Sequence, residues 1–322
     1  MSRLIKMPEE GSSDWIPDGQ YEDTHFSAYC QIPFLNASTL KFGWESMKHM
    51  KAAIDGTYGY KKSKALKVGR AIHSKLLEPA EFAKIPISTP CNARLKSGKR
   101  IGQECGAASS CIIGGDWRCK THSSGAPEFR GDFLSPAEHS NINKVYENVR
   151  RHRVISLLRE AGGIEKTFIR TINGRKVKGR VDKDIATPTF QIPPTVADVK
   201  KVTPGRGGQR WFSKQVEEYN YDMSAAWYVD GLFALDGILR EFLWIIVEDG
   251  EPYDVNVIQA DEETLRIGRA KYQWLLGRIE ECEATGVWPG YSQTVRYGGL
   301  SSQAKKRWRW VLTAGVNDEY NG

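Results

Sequence analysis

Between residues 165 and 202 the chain reads as three strands in succession, and the turn joining the first two fixes how they meet. The segments Glu165 to Ile172 and Lys176 to Ile185 are separated by Asn173-Gly174, a pair that readily supplies the positive φ angles of a tight hairpin. Thr195 to Val202 follows after a short loop, and Phe242 to Val247 with Tyr253 to Gln259 form a second hairpin across Glu248-Asp249-Gly250-Glu251. Helical spacing of apolar residues surrounds these strands: residues 39–54 behind the candidate caps Asn36 and Ser38, 63–77 ended by Glu78-Pro79, and 136–161 closed by Gly162-Gly163. Two more such runs, 209–239 with a break near Asn220 and 262–285, complete the set. Helices flanking a mixed central sheet predict an α/β (α+β) fold.

The longest apolar run, Phe242 to Val247, is that of a buried strand and falls far short of the roughly 20 residues of a membrane span. The N-terminus has basic residues but no apolar signal region, so a cytoplasmic location without membrane association is expected. The net charge of +7 is clustered in Lys61 to Arg70, Arg150 to Arg153 and Lys305 to Arg309, the last interleaved with Trp308 and Trp310. Each cluster alone suits a solvated helix face; together they favour a polyanionic partner such as nucleic acid.

Side chains alternate along a strand, so Asp198 and Lys200 project to one face, and Asp182 on the neighbouring strand is the candidate to join them. Two carboxylates and an ammonium there make a site that holds Mg²⁺ and attacks a phosphodiester. A bare Asp-x-Lys also suits a cross-strand ion pair at a solvated edge. The order of motifs along the chain distinguishes the two.

Gly69-Arg70-Ala71-Ile72-His73-Ser74-Lys75-Leu76-Leu77-Glu78-Pro79, then Glu165, Lys178-Gly179-Arg180-Val181-Asp182 and Asp198-Val199-Lys200, resemble in order the nuclease core of the exodeoxyribonuclease VIII type, a phage and prophage family of the PD-(D/E)xK superfamily. Trp211-Phe212, Tyr219 to Tyr228 and Trp288-Pro289-Gly290-Tyr291 resemble its later parts. The resemblance implies a double-stranded DNA exonuclease of 5′ to 3′ polarity that works with a single-strand annealing protein and assembles as a homo-oligomer. It implies that His73, Asp182, Asp198 and the Val199 carbonyl bind Mg²⁺ or Mn²⁺, that Lys200 orients water with a lowered pKa, and that Glu165 acts through water. Tyr228 stands at the family's tyrosine, but Ser224 replaces the glutamine one turn earlier, leaving Gln215 as a substitute amide. A structure-specific endonuclease, or a DNA-binding protein that has lost catalysis, are the alternatives.

Cys91, Cys105, Cys111 and Cys119 lie within 29 residues, with His122 three after Cys119. Thiols kept reduced and clustered with histidine point to metal rather than disulfides. Cys119-x-x-His122 is a candidate half of a tetrahedral Zn²⁺ site, with Cys91 and Cys105 candidates for the other half and Cys111 in reserve; an iron–sulfur cluster or free loop thiols are the alternatives. The segment also resembles a small zinc-knuckle module of phage proteins, and Arg94, Lys96, Lys99 and Arg100 are its candidate DNA contacts. The expected organisation is an irregular arm over 1–35, a nuclease core over 36–90 and 128–295, a Cys/His-rich insertion over 91–127, and a basic tail over 296–322.

Overall fold

The computed structural model describes residues 16–22, 24–59, 63–123, 133–155, 162–188, 192–296 and 298–309. The chain opens with β1 (Gly19–Tyr21), α1 (Phe26–Gln31), α2 (Ala37–Leu40), a 3₁₀ turn over Lys41–Trp44 and α3 (Met47–Ile54). Next come α4 (Lys64–Leu77), α5 (Pro79–Phe82), β2 (Cys111–Ile113), β3 (Asp116–Arg118) and α6 (Pro136–Arg151). The central strands are β4 (Gly163–Ile172), β5 (Arg175–Ile185) and β6 (Thr195–Val202), followed by α7 (Gln209–Glu218) and α8 (Tyr221–Asp236). The chain continues through β7 (Glu241–Glu248), β8 (Val255–Gln259), α9 (Glu262–Thr285) and α10 (Ser302–Trp308).

Six strands form one sheet in the order β1-β4-β5-β6-β7-β8, with β6 and β7 parallel and every other neighbour antiparallel. This is the mixed, helix-flanked α+β architecture that the sequence pattern predicts. One face packs Val177, Val181 and Val196 against Trp227 of α8 and Leu275 of α9; the other face packs Ile245 and Val247 with Ile72 of α4 and Val145 of α6. No described helix is long and apolar enough to cross a membrane.

Several boundaries differ from the sequence pattern for local reasons. The helix expected over 39–54 is broken, because the Ser46 hydroxyl accepts the His49 amide and caps a new helix, α3. Asn36 caps α2 instead of a long helix. Asn220 takes φ 50°, which produces the anticipated break between α7 and α8. Residues 1–35, read as irregular, contain β1, paired to β4 through Gly19 opposite Ile169, and α1. The helix expected over 136–161 stops at Arg151 as α6, because His152 turns to extended backbone at ψ 121° and caps it; residues 156–161, like Trp310, lie outside the described residues.

The backbones of α8 and α9 approach closely at Gly268. A Cβ added at Gly268 would fall 2.1 Å from the Asp222 carbonyl oxygen, a backbone atom that cannot swing aside. At Gly277, on the same helix, nothing lies within 4 Å of that position. Gly268→Ala is therefore expected to destabilise the protein by about 1–3 kcal/mol or more through forced separation of the helices. Gly277→Ala should instead be neutral or stabilising by up to about 1 kcal/mol. Urea unfolding midpoints of the two variants read the difference.

Candidate active site and a Cys3His cluster

The β5–β6 ladder ends at Lys183 opposite Ala197, so Asp182 and Asp198 occupy the next position on each strand, where the pairing opens. The Asp182 carboxylate takes the place of the missing ladder bond: its Oδ2 accepts the Val199 amide at 2.7 Å. The same oxygen lies 2.8 Å from His73 Nε2, while His73 Nδ1 lies 2.9 Å from Glu165 Oε1. Both imidazole nitrogens therefore face carboxylates and both carry protons in this arrangement. Ligand atoms of His73, Glu165 and Asp182 lie within 4.8 Å of one another.

Glu165 reaches this position from a strand residue with φ 51°, left-handed backbone that favours glycine and marks local strain. Its second oxygen is held by Arg180, whose guanidinium also meets Glu78 at 3.6 Å. Arg180, two residues before Asp182 on β5, is thus engaged by Glu165 and Glu78. Asp198 is ion-paired with Lys200, so the two do share a face. The structure thus gathers His73, Glu165 and Asp182 into one cluster, with the Asp198–Lys200 pair beside it and Val199 joined to it through its amide.

The electrostatics follow from burial against neighbouring charge. Burial opposes charge on His73, but the Asp182 and Glu165 carboxylates outweigh it and hold the imidazole well above its ordinary value. Burial works against the Asp182 carboxylate too, yet His73 beside it, then Lys200 and the Val199 amide, keep it below the usual range. Burial pushes Asp198 up despite Lys200, with Asp182 adding repulsion. For Lys200, burial is overcome by Asp198 and Asp182, and its pKa is raised. This corrects the expected downward shift: the two carboxylates dominate the desolvation.

Sequence reasoning missed a second lysine. Lys41, from the 3₁₀ turn, sits 5.2 Å from the Tyr221 ring centre, and Lys200 sits 4.9 Å from the same ring. Burial and the Lys200 charge lower Lys41 to about 7, against the pull of Asp198 and Asp222. No sequence spacing links Lys41 to a strand 160 residues away; only the fold does. Tyr228 lines the same cleft of about 920 Å³ as His73, Glu165 and Asp182, and burial holds its phenol well above the ordinary value. Ser224 is buried one turn before it, while the Gln215 amide donates to the Arg206 carbonyl at 3.4 Å and is committed to that loop. Residues of α1 also line the cleft, among them Phe26 and Tyr29.

In the insertion, Cys91, Cys105, Cys119 and His122 place four ligand atoms within 4.8 Å of one another. His122 Nδ1 lies 3.6 Å from Cys91 Sγ and 3.4 Å from Cys119 Sγ, and Cys105 Sγ lies 3.9 Å from Cys119 Sγ. Backbone bonds set this up: the Cys91 amide donates to Ala107 and the Cys105 amide to Ala93, which brings two loop cysteines together. Burial opposes the Cys119 thiolate, but the His122 and Thr121 amides and the Cys91 side chain lower its pKa to about 6. Cys111 stands apart in β2, its thiol 3.8 Å from the Arg118 carbonyl. Thiolate and imidazole donors in this number fit a tetrahedral soft-metal site, as the oxygen-rich His73 cluster fits Mg²⁺ or Mn²⁺.

The raised His73 pKa gives a pH dependence with a definite sign. Stabilisation from the doubly held imidazolium is complete below the ordinary histidine value of 6.5 and is lost as pH rises through the higher folded value. In protein kept free of metal with EDTA, stability to urea should therefore fall as pH rises through that window. His73→Gln should flatten the profile there; an unchanged slope in the variant would remove His73 as its source.

The sequence profile of the family described as "PDDEXK-like domain of unknown function (DUF3799)" matches residues 36–299. No curated protein matches the chain. Among solved structures, a candidate exonuclease from Eubacterium rectale superposes with a TM-score of 0.56 at 14% identity, covering 96% of this chain and 100% of its own. That likeness supports the fold alone. A second chain, SSO0001, aligns over 43% of this chain and 60% of its own at 16% identity, and its TM-score of 0.24 carries no argument. The mixed sheet, the acidic cluster at its opening and the match over most of the chain have one conclusion: the protein belongs to the PDDEXK-like domain family, within the PD-(D/E)xK nuclease superfamily.

Proposed function

We propose that this protein is a metal-dependent deoxyribonuclease that degrades double-stranded DNA from an end. The observation that carries the reading is the His73–Glu165–Asp182 cluster beside the Asp198–Lys200 pair, where β5 and β6 part. Asp182, with Glu165 or Asp198 and with His73 once its Nε2 proton is released, would hold Mg²⁺ or Mn²⁺, which when bound would supply positive charge to the scissile phosphate and acidify the attacking water. Asp182 and Glu165 hold the His73 ring in place, and Arg180 in turn fixes Glu165. Lys200, kept protonated by Asp198 and Asp182, stabilises the charge that builds on the phosphate and orients the nucleophile. Tyr228 stays a phenol and offers a hydrogen-bond donor to the cleft.

The finer features rest on the resemblance to the exodeoxyribonuclease VIII type: 5′ to 3′ polarity, a role in phage-type recombination, transfer of the exposed strand to an annealing protein, a homo-oligomer and a cytoplasmic setting. The Cys3His cluster holds a structural Zn²⁺ in this reading, bracing the insertion whose Trp117 ring packs 5.0 Å from Phe133 at the cleft wall.

Purified protein with Mg²⁺ should release nucleotides from linear duplex DNA and leave covalently closed circles intact; cleavage of circles would favour an endonuclease. Asp198→Ala and Lys200→Ala should each lower the rate by roughly 10²–10³-fold or more with DNA binding retained. Substantial cleavage by folded Asp198→Ala would remove the assignment. Elemental analysis should find about one zinc per chain, lost in Cys119→Ser and in His122→Ala, while activity still requires added Mg²⁺ or Mn²⁺. Iron, or no bound metal, would count against the zinc assignment alone.

A further inference from the structure

The helix that follows β6 carries a group of cations that the cleft does not use. Trp211, 39% exposed on α7, has the Arg206 guanidinium 4.0 Å from its ring centre, Lys214 Nζ at 4.4 Å and the Arg210 guanidinium at 6.0 Å. Lys214 is three residues on from Trp211 and so shares its helix face, while Arg206 reaches over from the loop. Among the described residues no carboxylate lies within ion-pair distance of any of the three, although Glu217 and Glu218 follow closely on the same helix. Three like charges gathered on one ring repel one another, and the quadrupole of the ring offsets that repulsion only in part.

The support beneath them is built. The buried Glu248 carboxylate accepts the Gly205 amide at 2.8 Å and the Gly207 amide at 3.4 Å, so the loop presenting Arg206 is pinned to the sheet. Asn256 donates to the Gly207 carbonyl at 3.0 Å and Gln215 to the Arg206 carbonyl. On the inner side of the helix, Phe212 stacks 6.1 Å from Tyr221, the ring that carries Lys200. Arg210 and Lys214 thus stand on the same helix as Phe212, the support of the ring beside the proposed catalytic lysine.

We propose that Arg206, Arg210 and Lys214, assembled on Trp211, form a phosphate clamp that grips the DNA backbone outside the cleft. The missing counter-charge is a polyanion, and repeated phosphates supply it at the spacing of a strand rather than as a single ion. The indole is the platform: it holds three cations in one place before DNA arrives. The clamp rests on the nuclease reading for its biological substrate, but not for its ability to bind.

The test compares wild type with Arg206→Gln/Arg210→Gln/Lys214→Gln, Trp211→Ala and Trp211→Phe, each checked for an unchanged circular dichroism spectrum and Tm. Binding of a labelled DNA duplex is read by anisotropy in EDTA across a sodium chloride series, and metal-dependent hydrolysis of bis(p-nitrophenyl) phosphate is read separately. The triple variant should bind about tenfold or more weakly at 0.15 M salt, with a log–log salt slope shallower by about two to three units. Trp211→Ala should lose most of that affinity and Trp211→Phe should keep it, because a π face remains. Hydrolysis of the small phosphodiester should not change in any of them. An unchanged affinity and slope in the triple variant would overturn the clamp and make the cations a solvated helix face. Displacement of DNA by polyglutamate as effectively as by unlabelled DNA would overturn it in favour of an acidic protein partner. Wild type that binds DNA through these residues yet hydrolyses nothing would keep the clamp and remove the nuclease reading.

Discussion

One carboxylate oxygen organises the candidate site: Asp182 Oδ2 accepts from both the Val199 amide and the His73 ring. A buried carboxylate is costly unless it is fully compensated, and here the compensation comes from two different elements. The first bond closes the gap where β5 and β6 stop pairing, and the second docks α4 onto the sheet. Because His73 is also held by Glu165, and Glu165 by Arg180, the helix, both strands and the hairpin are tied through one chain of charges. Removing any member leaves its buried neighbour with one partner fewer, against a cost of about 3–5 kcal/mol where a comparable buried charge loses its only partner. The left-handed backbone at Glu165 is tolerable because this network fixes its side chain.

That network explains which parts of the site were legible in the sequence. Asp198 and Lys200 were readable because alternation along a strand is a local rule, and the ion pair confirms their common face. Asp182 followed from the hairpin and the order of strands, and His73 and Glu165 from the resemblance. Lys41, Arg180's partnership with Glu165 and the Tyr221 platform were not readable, because each depends on packing between segments that no period connects. The strands and long helices were legible for the same reason that β1 and α1 were not. The eight residues of β6 alternate and the 24 of α9 repeat at helical spacing, whereas the three of β1 and the six of α1 are too few to show either period. The sharpest failure, the helix over 39–54, turned on a single hydroxyl at Ser46 that offered the backbone an alternative bond.

The two candidate metal sites differ in the property that matters for selectivity. The His73 cluster offers two carboxylates and one imidazole at a cleft open to substrate, a set that suits weakly held, exchangeable hard cations. The cluster in the insertion offers three thiols and an imidazole with the Cys119 thiolate already favoured near neutrality, a set that suits a tightly held soft ion. Segregating soft donors in a separate insertion keeps thiolates away from the oxygen-rich site. One chain can then carry two metals without either site taking the other's ion.

The lysines around Tyr221 extend the same electrostatic reasoning. Lys41 and Lys200 approach one ring, yet Lys200 is held charged by Asp198 and Asp182, while burial and the Lys200 charge lower Lys41 to about 7. Their difference is therefore set by which anions each one faces, not by residue type. A lowered Lys41 beside a charged Lys200 limits the repulsion between two buried ammonium groups that approach one ring.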